Sequence, residues 1–411
     1  MTWLTLAMFL LLQSAAPQAP AVETLMADAA VKRAIEFIRQ TEPQTIDEQV
    51  RLCEIPAPPF KEAVRGEAYR QAFEAGGLQN VRIDEVGNVI GVRPGAAARP
   101  NVVLSAHLDT VFPEGTDVRT TRQGAVIKGP GIGDDCRGLA VVLAVMRALN
   151  QLKIQTPGTL TFVGTVGEEG LGDLRGVKHL FDRELKGQVD AFISIDGAGL
   201  DITYAAVGSR RYRVTVKGPG GHSYGDFGLV NPAHALGRAI ARIADLEVPK
   251  DPKTTFNVGR IGGGTSVNSI PFEAWMEVDM RSEDAAALTA LDASFHRALD
   301  AAAADEQARW GDRGKLEIDR KLVGYRPAGR VPRTASIVQT AVAATKALGL
   351  PAGLQASSTD ANYPISLGIP ALTLDGGGSG EGSHSLEERF DTANSWQGAA
   401  RALLVALALA R

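Results

Sequence analysis

The chain has 411 residues, 43 of them basic and 47 acidic, giving a formal net charge of −4, with 45% hydrophobic and 22% charged residues. That composition excludes a collagen, a disordered tail and a coiled coil. An acidic balance with no basic run leaves no electrostatic footprint for nucleic acid.

At roughly 100–200 residues per domain the length predicts two or three domains. The first segment, residues 1–19, has an apolar core from Trp3 to Leu12, shorter than the roughly 20 residues of a bilayer span, followed by Ser14, Ala15 and Ala16. This is the pattern of a secretory signal cut near 16–19, although its start carries no Lys or Arg. It predicts a periplasmic or secreted protein with no membrane span after cleavage. Two cysteines, Cys53 and Cys136, make neither a disulfide framework nor a thiolate zinc site.

Residues 22–70 carry helical spacing broken by the Pro-rich turn at 55–60. Segments 80–85 and 89–93 flank Gly87-Asn88, a hairpin signal. Apolar runs at 101–107, 159–166 and 189–195 alternate with helical patterns such as 139–149. This predicts an α/β layer on a mostly parallel sheet. The pattern then changes. Segments 211–216, 274–280 and 315–322 alternate polar and apolar, with helices at 233–246 and 284–307 between them. These predict a separate α+β unit at 209–322, inserted between two parts of the first domain, 22–208 and 323–411. The second part holds a helix (334–348), a strand (371–374) and a closing helix (395–410).

Polar residues gather where the apolar strands end, the edge at which open α/β sheets bind ligands. The first run ends in His107-Leu108-Asp109, and residues two apart on an extended chain face the same way. Zinc-bound imidazoles usually hand their other N–H to a carboxylate, so Asp109 is expected to orient His107 as a ligand. A glycine-rich turn, 129–133, precedes Asp134 and Asp135. It lacks Gly-Lys-Ser/Thr and the full dinucleotide spacing, so a phosphate loop is a poor reading and carboxylates at a cation a better one. Glu168-Glu169 ends the next strand, Asp196 the third, and His384 sits in a late loop. Adjacent glutamates at a strand end divide into a metal ligand and a general base. Nitrogen and oxygen donors without thiolate suit zinc, with manganese or cobalt as substitutes. Their number suggests two ions roughly 3.5–4 Å apart, sharing a carboxylate.

Seven motifs carry a resemblance: SAHLDT (105–110), GPGIGDDCRG (129–138), GEEG (167–170), SIDG (194–197), KGPGGHS (217–223), GGTSVNSIP (263–271) and GSHS (382–385). With them the chain resembles the two-zinc exopeptidases and deacylases that include bacterial glutamate carboxypeptidase, peptidase T and succinyl-diaminopimelate desuccinylase. The resemblance implies a three-layer catalytic domain with an inserted ferredoxin-like dimerisation domain, and hydrolysis of amide bonds in small peptides. The alternative is an N-acyl amino acid deacylase on the same site; a non-catalytic binding homologue is more remote. The resemblance further implies His107 and Asp196 on one zinc, Glu169 and His384 on the other, and Asp135 between them, followed by a cis peptide to Cys136. It makes Glu168 the general base. His222 would reach the active site of the partner in a homodimer, and Asn268 and Arg281 would touch substrate. His179, His234 and His296 match no ligand motif.

Overall fold

The structure is a computed structural model and describes residues 19–411. The signal expected at the N-terminus lies outside the described residues, except Ala19, which opens the helix Ala19–Ala27. Among the described residues no helix is long and apolar enough to cross a membrane.

Among the described residues the larger unit is built on a nine-stranded sheet. Its centre is four parallel strands in the order Thr159–Thr165, Asn101–His107, Ala191–Ile195, Ala371–Leu374. The antiparallel pair Gln79–Ile83 and Val89–Arg93 extends one side. On the other side Ile202–Ala206 joins antiparallel and carries Leu354–Ser357 and Gly329–Arg330.

All seven residues of Asn101–His107 are buried. Such a strand reads as a continuous apolar run because helices cover both of its faces. The register shows how. Leu104 pairs with Phe162 and Ile193, so these side chains share a face, and Phe192 points to the other. Phe162 meets Phe73 of the helix Ala63–Ala75 at 6.5 Å between ring centres; Phe192 meets Phe181 at 5.4 Å on the opposite side. The result is three layers, as expected. Truncating Phe162 to Ala would cost about 3–5 kcal/mol through the cavity left. The helix Cys136–Gln151 is buried almost all round, against the sheet on one side and the helices Glu42–Cys53 and Trp396–Leu409 on the other.

The second unit is an antiparallel sheet in the order Thr254–Gly263, Glu273–Ser282, Gly208–Lys217, Glu317–Arg326. Helices Pro232–Ala244 and Ala285–Trp310 pack on it through a core of their own. Strand–helix–strand–strand–helix–strand in this order is the ferredoxin-like arrangement. Thr254–Gly263 was not expected from the sequence, because its polar residues and three glycines mask the strand pattern. The unit spans 208–326 rather than 209–322. The difference has a consequence: the last strand runs on to Arg326, whose side chain enters the larger unit.

Because the four central strands are parallel, His107, Thr165, Ile195 and Leu374 end at one edge. The polar residues that follow them gather there.

Candidate metal centre and active site

His107 closes its strand with a buried ring. Nδ1 lies 3.0 Å from the Asp109 carbonyl oxygen and 3.7 Å from the Asp109 carboxylate. Orientation therefore comes chiefly from the Asp109 main chain, not from its carboxylate as expected. The carboxylate instead accepts the amide of Glu168 at 3.0 Å and that of Glu169 at 2.8 Å.

The expectation that Asp135 stands between two ions is corrected. Asp134 is the shared carboxylate: one oxygen lies 3.0 Å from His107 Nε2 and the other 3.1 Å from His384 Nε2. The carboxylate of Asp135 turns away to accept the amides of His107 (2.9 Å), Gly138 (3.0 Å) and Gly197 (3.3 Å), capping the helix Cys136–Gln151. A side chain so occupied is turned from the two imidazoles that Asp134 joins. Gly138 permits the arrangement, since a Cβ there would come within 2.5 Å of the Ile195 carbonyl oxygen. The cis peptide likewise joins Asp134 to Asp135, one residue earlier than expected. Sequence alone cannot choose between two adjacent aspartates.

Around Asp134 the ligand atoms of His107 and Asp196 form one group and those of Glu169 and His384 a second, each within 4.8 Å. Glu169 Oε1 is 3.1 Å from His384 Nε2, and Asp196 Oδ1 is 3.9 Å from His107 Nε2. His384 sits at φ 66°, in the left-handed region that side chains other than glycine seldom occupy. Glu388, four residues on, ties this loop to the glycine-rich turn, its carboxylate accepting the amides of Gly131, Gly133 and Asp134.

The electrostatics follow from carboxylates crowded out of water. Burial raises the Asp196 carboxyl well above the usual range, and the neighbouring Asp134 adds to it. Burial alone would lower His107, but Asp135, Asp134 and Asp196 hold its imidazole well above its ordinary value. Hydrogen bonds to Asp134 and Glu169 raise His384 to about 10. Burial pushes Asp134 up, and the two imidazoles outweigh it and bring it below the carboxylate range. This is a donor set of two imidazoles and several carboxylates with no thiol in it. It fits a pair of divalent ions.

Glu168 is 4% exposed. Its Oε1 accepts Arg326 Nη1 at 2.8 Å, and Arg326 Nη2 holds its carbonyl. Burial raises the Glu168 carboxyl, Arg326 opposes the rise, and Glu169 adds to it. Nothing in the sequence singled out Arg326; it lies in no motif and comes from the other unit. A cavity of about 410 Å³ opens beside Glu168, Glu169, Asp196 and His384, and Arg211, Arg281 and Arg326 also line it. Asp279 clamps two of these arginines, accepting Arg211 Nε at 2.9 Å and Arg281 Nε at 2.7 Å.

Arg281 is thus brought to the site. His222 and Asn268 are not among the residues lining that cavity. They are joined to each other, the Ser223 amide donating to the Asn268 carbonyl at 3.0 Å and Ser269 pairing with His222. His222 is exposed, and its Nδ1 accepts the amides of Tyr224 and Gly225, each at 3.2 Å. That fixes the tautomer with the proton on Nε2. His179, His234 and His296 belong to none of the groups around Asp134. Cys53 and Cys136 are buried free thiols.

Residues 103–408 match peptidase family M20/M25/M40. The chain is 27% identical over 351 residues to the uncharacterised protein YqjE of Bacillus subtilis, covering 81% of this chain and 90% of that protein. It is 26% identical over 238 residues to the succinyl-diaminopimelate desuccinylase of Corynebacterium glutamicum, covering 56% of this chain and 64% of that enzyme. Among solved structures it resembles a tripeptidase from Staphylococcus aureus, with TM-score 0.74 and 23% identity over 90% of this chain and 99% of the other. It also resembles YXEP of Bacillus subtilis, described as a dinuclear metal binding peptidase, with TM-score 0.66 and 19% identity over 90% of this chain and 99% of the other. The expected kinship and fold are borne out: the chain belongs to peptidase family M20/M25/M40 and is a hydrolase of that family.

Proposed function

We propose that the protein hydrolyses amide bonds of small peptides as an exopeptidase, using two divalent ions of which zinc is the expected pair. The observation that carries the reading is Asp134, with one oxygen on each of two imidazoles. His107 and Asp196 would hold one ion, Glu169 and His384 the other, and Asp134 both. When bound, the pair supplies Lewis acidity, lowering the pKa of water and polarising the carbonyl.

The chain's own residues do the rest. Glu168 borders the cavity, and burial raises its carboxyl above the ordinary range, which suits it to take a proton from the attacking water. It then returns the proton to the leaving amine. Arg326 holds Glu168 in one orientation throughout. Arg281, tied to Asp279 through Nε, keeps its terminal nitrogens for the carboxylate of a substrate. Peptides and N-acyl amino acids both carry that group, so a deacylase is the second reading that this arginine supports.

His222 would act in a homodimer, its Nε2–H reaching the partner's site to steady the oxyanion. Glu168→Ala and His222→Ala protomers mixed into hybrid dimers should then recover part of the activity. Export through the N-terminal signal belongs to the same reading; mass spectrometry finding an intact Met1 end would count against it.

The deciding experiment is a panel of dipeptides, tripeptides and N-acyl amino acids tested with the metal-loaded protein, after chelation, and after zinc is restored. Hydrolysis lost on chelation and regained with zinc supports the reading. Activity indifferent to chelation, or a bound metal content that Asp134→Ala leaves unchanged, would overturn it.

A further inference from the structure

Behind Glu168 lies a buried acid that the mechanism above leaves idle. Asp360 is 1% exposed. Its Oδ2 is 2.5 Å from Thr165 Oγ1, at the end of the strand that leads into Glu168. Thr165 Oγ1 is also 3.2 Å from the Ala106 carbonyl oxygen, next to His107. Asp360 Oδ1 is buried without a hydrogen-bond partner.

The residues flanking Asp360 grip the other side of the site. Ser358 Oγ accepts Arg326 Nη1 at 3.1 Å, and Asn362 Nδ2 donates to the Pro327 carbonyl at 3.1 Å. One short segment therefore holds both the strand end before Glu168 and the arginine on its carboxylate.

A hydrogen count decides the state of this acid. Thr165 has one hydroxyl hydrogen and two acceptors beside it. An ionised Asp360 would take that hydrogen and leave Oδ1 as an unpaired charge in the interior, which is costly. A neutral Asp360 donates from Oδ2 to Thr165 Oγ1, and Thr165 donates to the Ala106 carbonyl. Every hydrogen is then placed and no charge is bare. Burial works the same way, raising the carboxyl to about 7, with Glu168 adding to it.

We propose that Asp360 is a positioning residue of the hydrolytic site: a neutral carboxylic acid that locks the strand end before Glu168 to the segment gripping Arg326. This rests on the reading of Glu168 as the base. It assigns a role to a residue that touches neither substrate nor ions.

The test compares Asp360→Asn, whose amide mimics a neutral acid, with Asp360→Leu, which removes the link with an apolar side chain of the same branching. Asn should keep kcat within about threefold. Leu should lower kcat at least tenfold with KM within twofold and the same number of bound ions. A merely structural role would move KM, metal content and melting midpoint along with kcat. Should Leu fail to fold, Thr165→Val cuts the link from the other end and should give the same kcat-only loss. An Asn variant as impaired as Leu would overturn the neutral acid, and full kcat in Leu or in Thr165→Val would overturn the positioning role. Infrared difference spectra of wild type and Asp360→Asn at pH 6 should show a protonated-carboxyl band that only the wild type has. Its absence overturns the neutral acid whether or not any substrate is found. A wild type inactive on every amide tested, even with zinc restored, defeats the hydrolytic reading instead.

Discussion

The carboxylate of Asp109 stands 3.0 Å from the amide nitrogen of Glu168 and accepts the next amide as well, so one buried side chain shapes the turn that sets Glu168 apart from Glu169. Asp109→Ala would leave two buried N–H groups without partners, at roughly 1–3 kcal/mol each. Stability measured by urea unfolding should fall by about that sum, and kcat by about 10–100-fold, the range for losing a supporting partner at a metal site. Asp109→Asn keeps one acceptor oxygen and should fall less on both counts. Equal losses in the two variants would contradict this role.

Asp134 and Asp135 are neighbours with opposite duties. Asp134→Ala removes the carboxylate shared by His107 and His384, and should abolish binding of both ions as counted by atomic emission. Asp135→Ala removes a helix cap and the acceptor of the His107 and Gly197 amides as well, at roughly 1–3 kcal/mol for each buried N–H left unpaired, and should reduce stability while the protein still binds metal. The reverse pattern would return the shared position to Asp135.

Glu168→Gln should keep fold and metal content and lose about 10²–10⁴ in kcat, the range general-base catalysis supplies. Arg326→Met is expected to do more harm to stability. Both side chains of this ion pair are nearly buried, and removing one partner of a buried pair costs about 3–5 kcal/mol. The double variant Glu168→Gln with Arg326→Met should recover part of that loss, because no unpaired charge remains; a double-mutant cycle reads it directly.

Asp375, in the lining of the cavity, links stability to pH. Burial raises its carboxyl to about 7, against the pull of the Asp201 amide and Arg401. The folded chain thus keeps a proton that the unfolded chain releases near pH 4. The contribution is fully present below about pH 4 and is lost as pH rises towards 7. Asp375→Asn cannot ionise, so its stability should fall less between pH 4.5 and 8 than that of wild type. Urea midpoints at the two values measure the difference, and an unchanged slope in the variant would sink the assignment.

Much of this was legible in the sequence because it is local. The strands 101–107 and 371–374 matched to the residue, since full burial on both faces demands an unbroken apolar run. The gathering of His107, Glu169 and Asp196 at one sheet edge was legible too, because each ends or follows such a strand. Thr254–Gly263 was not, because a half-exposed strand with three glycines carries no strong pattern. Asn268 and His222 were placed by motif, and the structure sets them beside each other and outside the cavity lining.

The sequence by itself determined the layer architecture, the inserted unit and the chemical types gathered at the sheet edge, because periodicity and strand-end residues are one-dimensional signals. Tertiary structure alone decided which of two adjacent aspartates faces both imidazoles, and that Arg326 and Asp360 support Glu168. Those choices turn on directions of side chains and on contacts between residues more than 150 positions apart. No spacing along a chain records them; only the packed sheet and the strand entering from the second unit bring the atoms together.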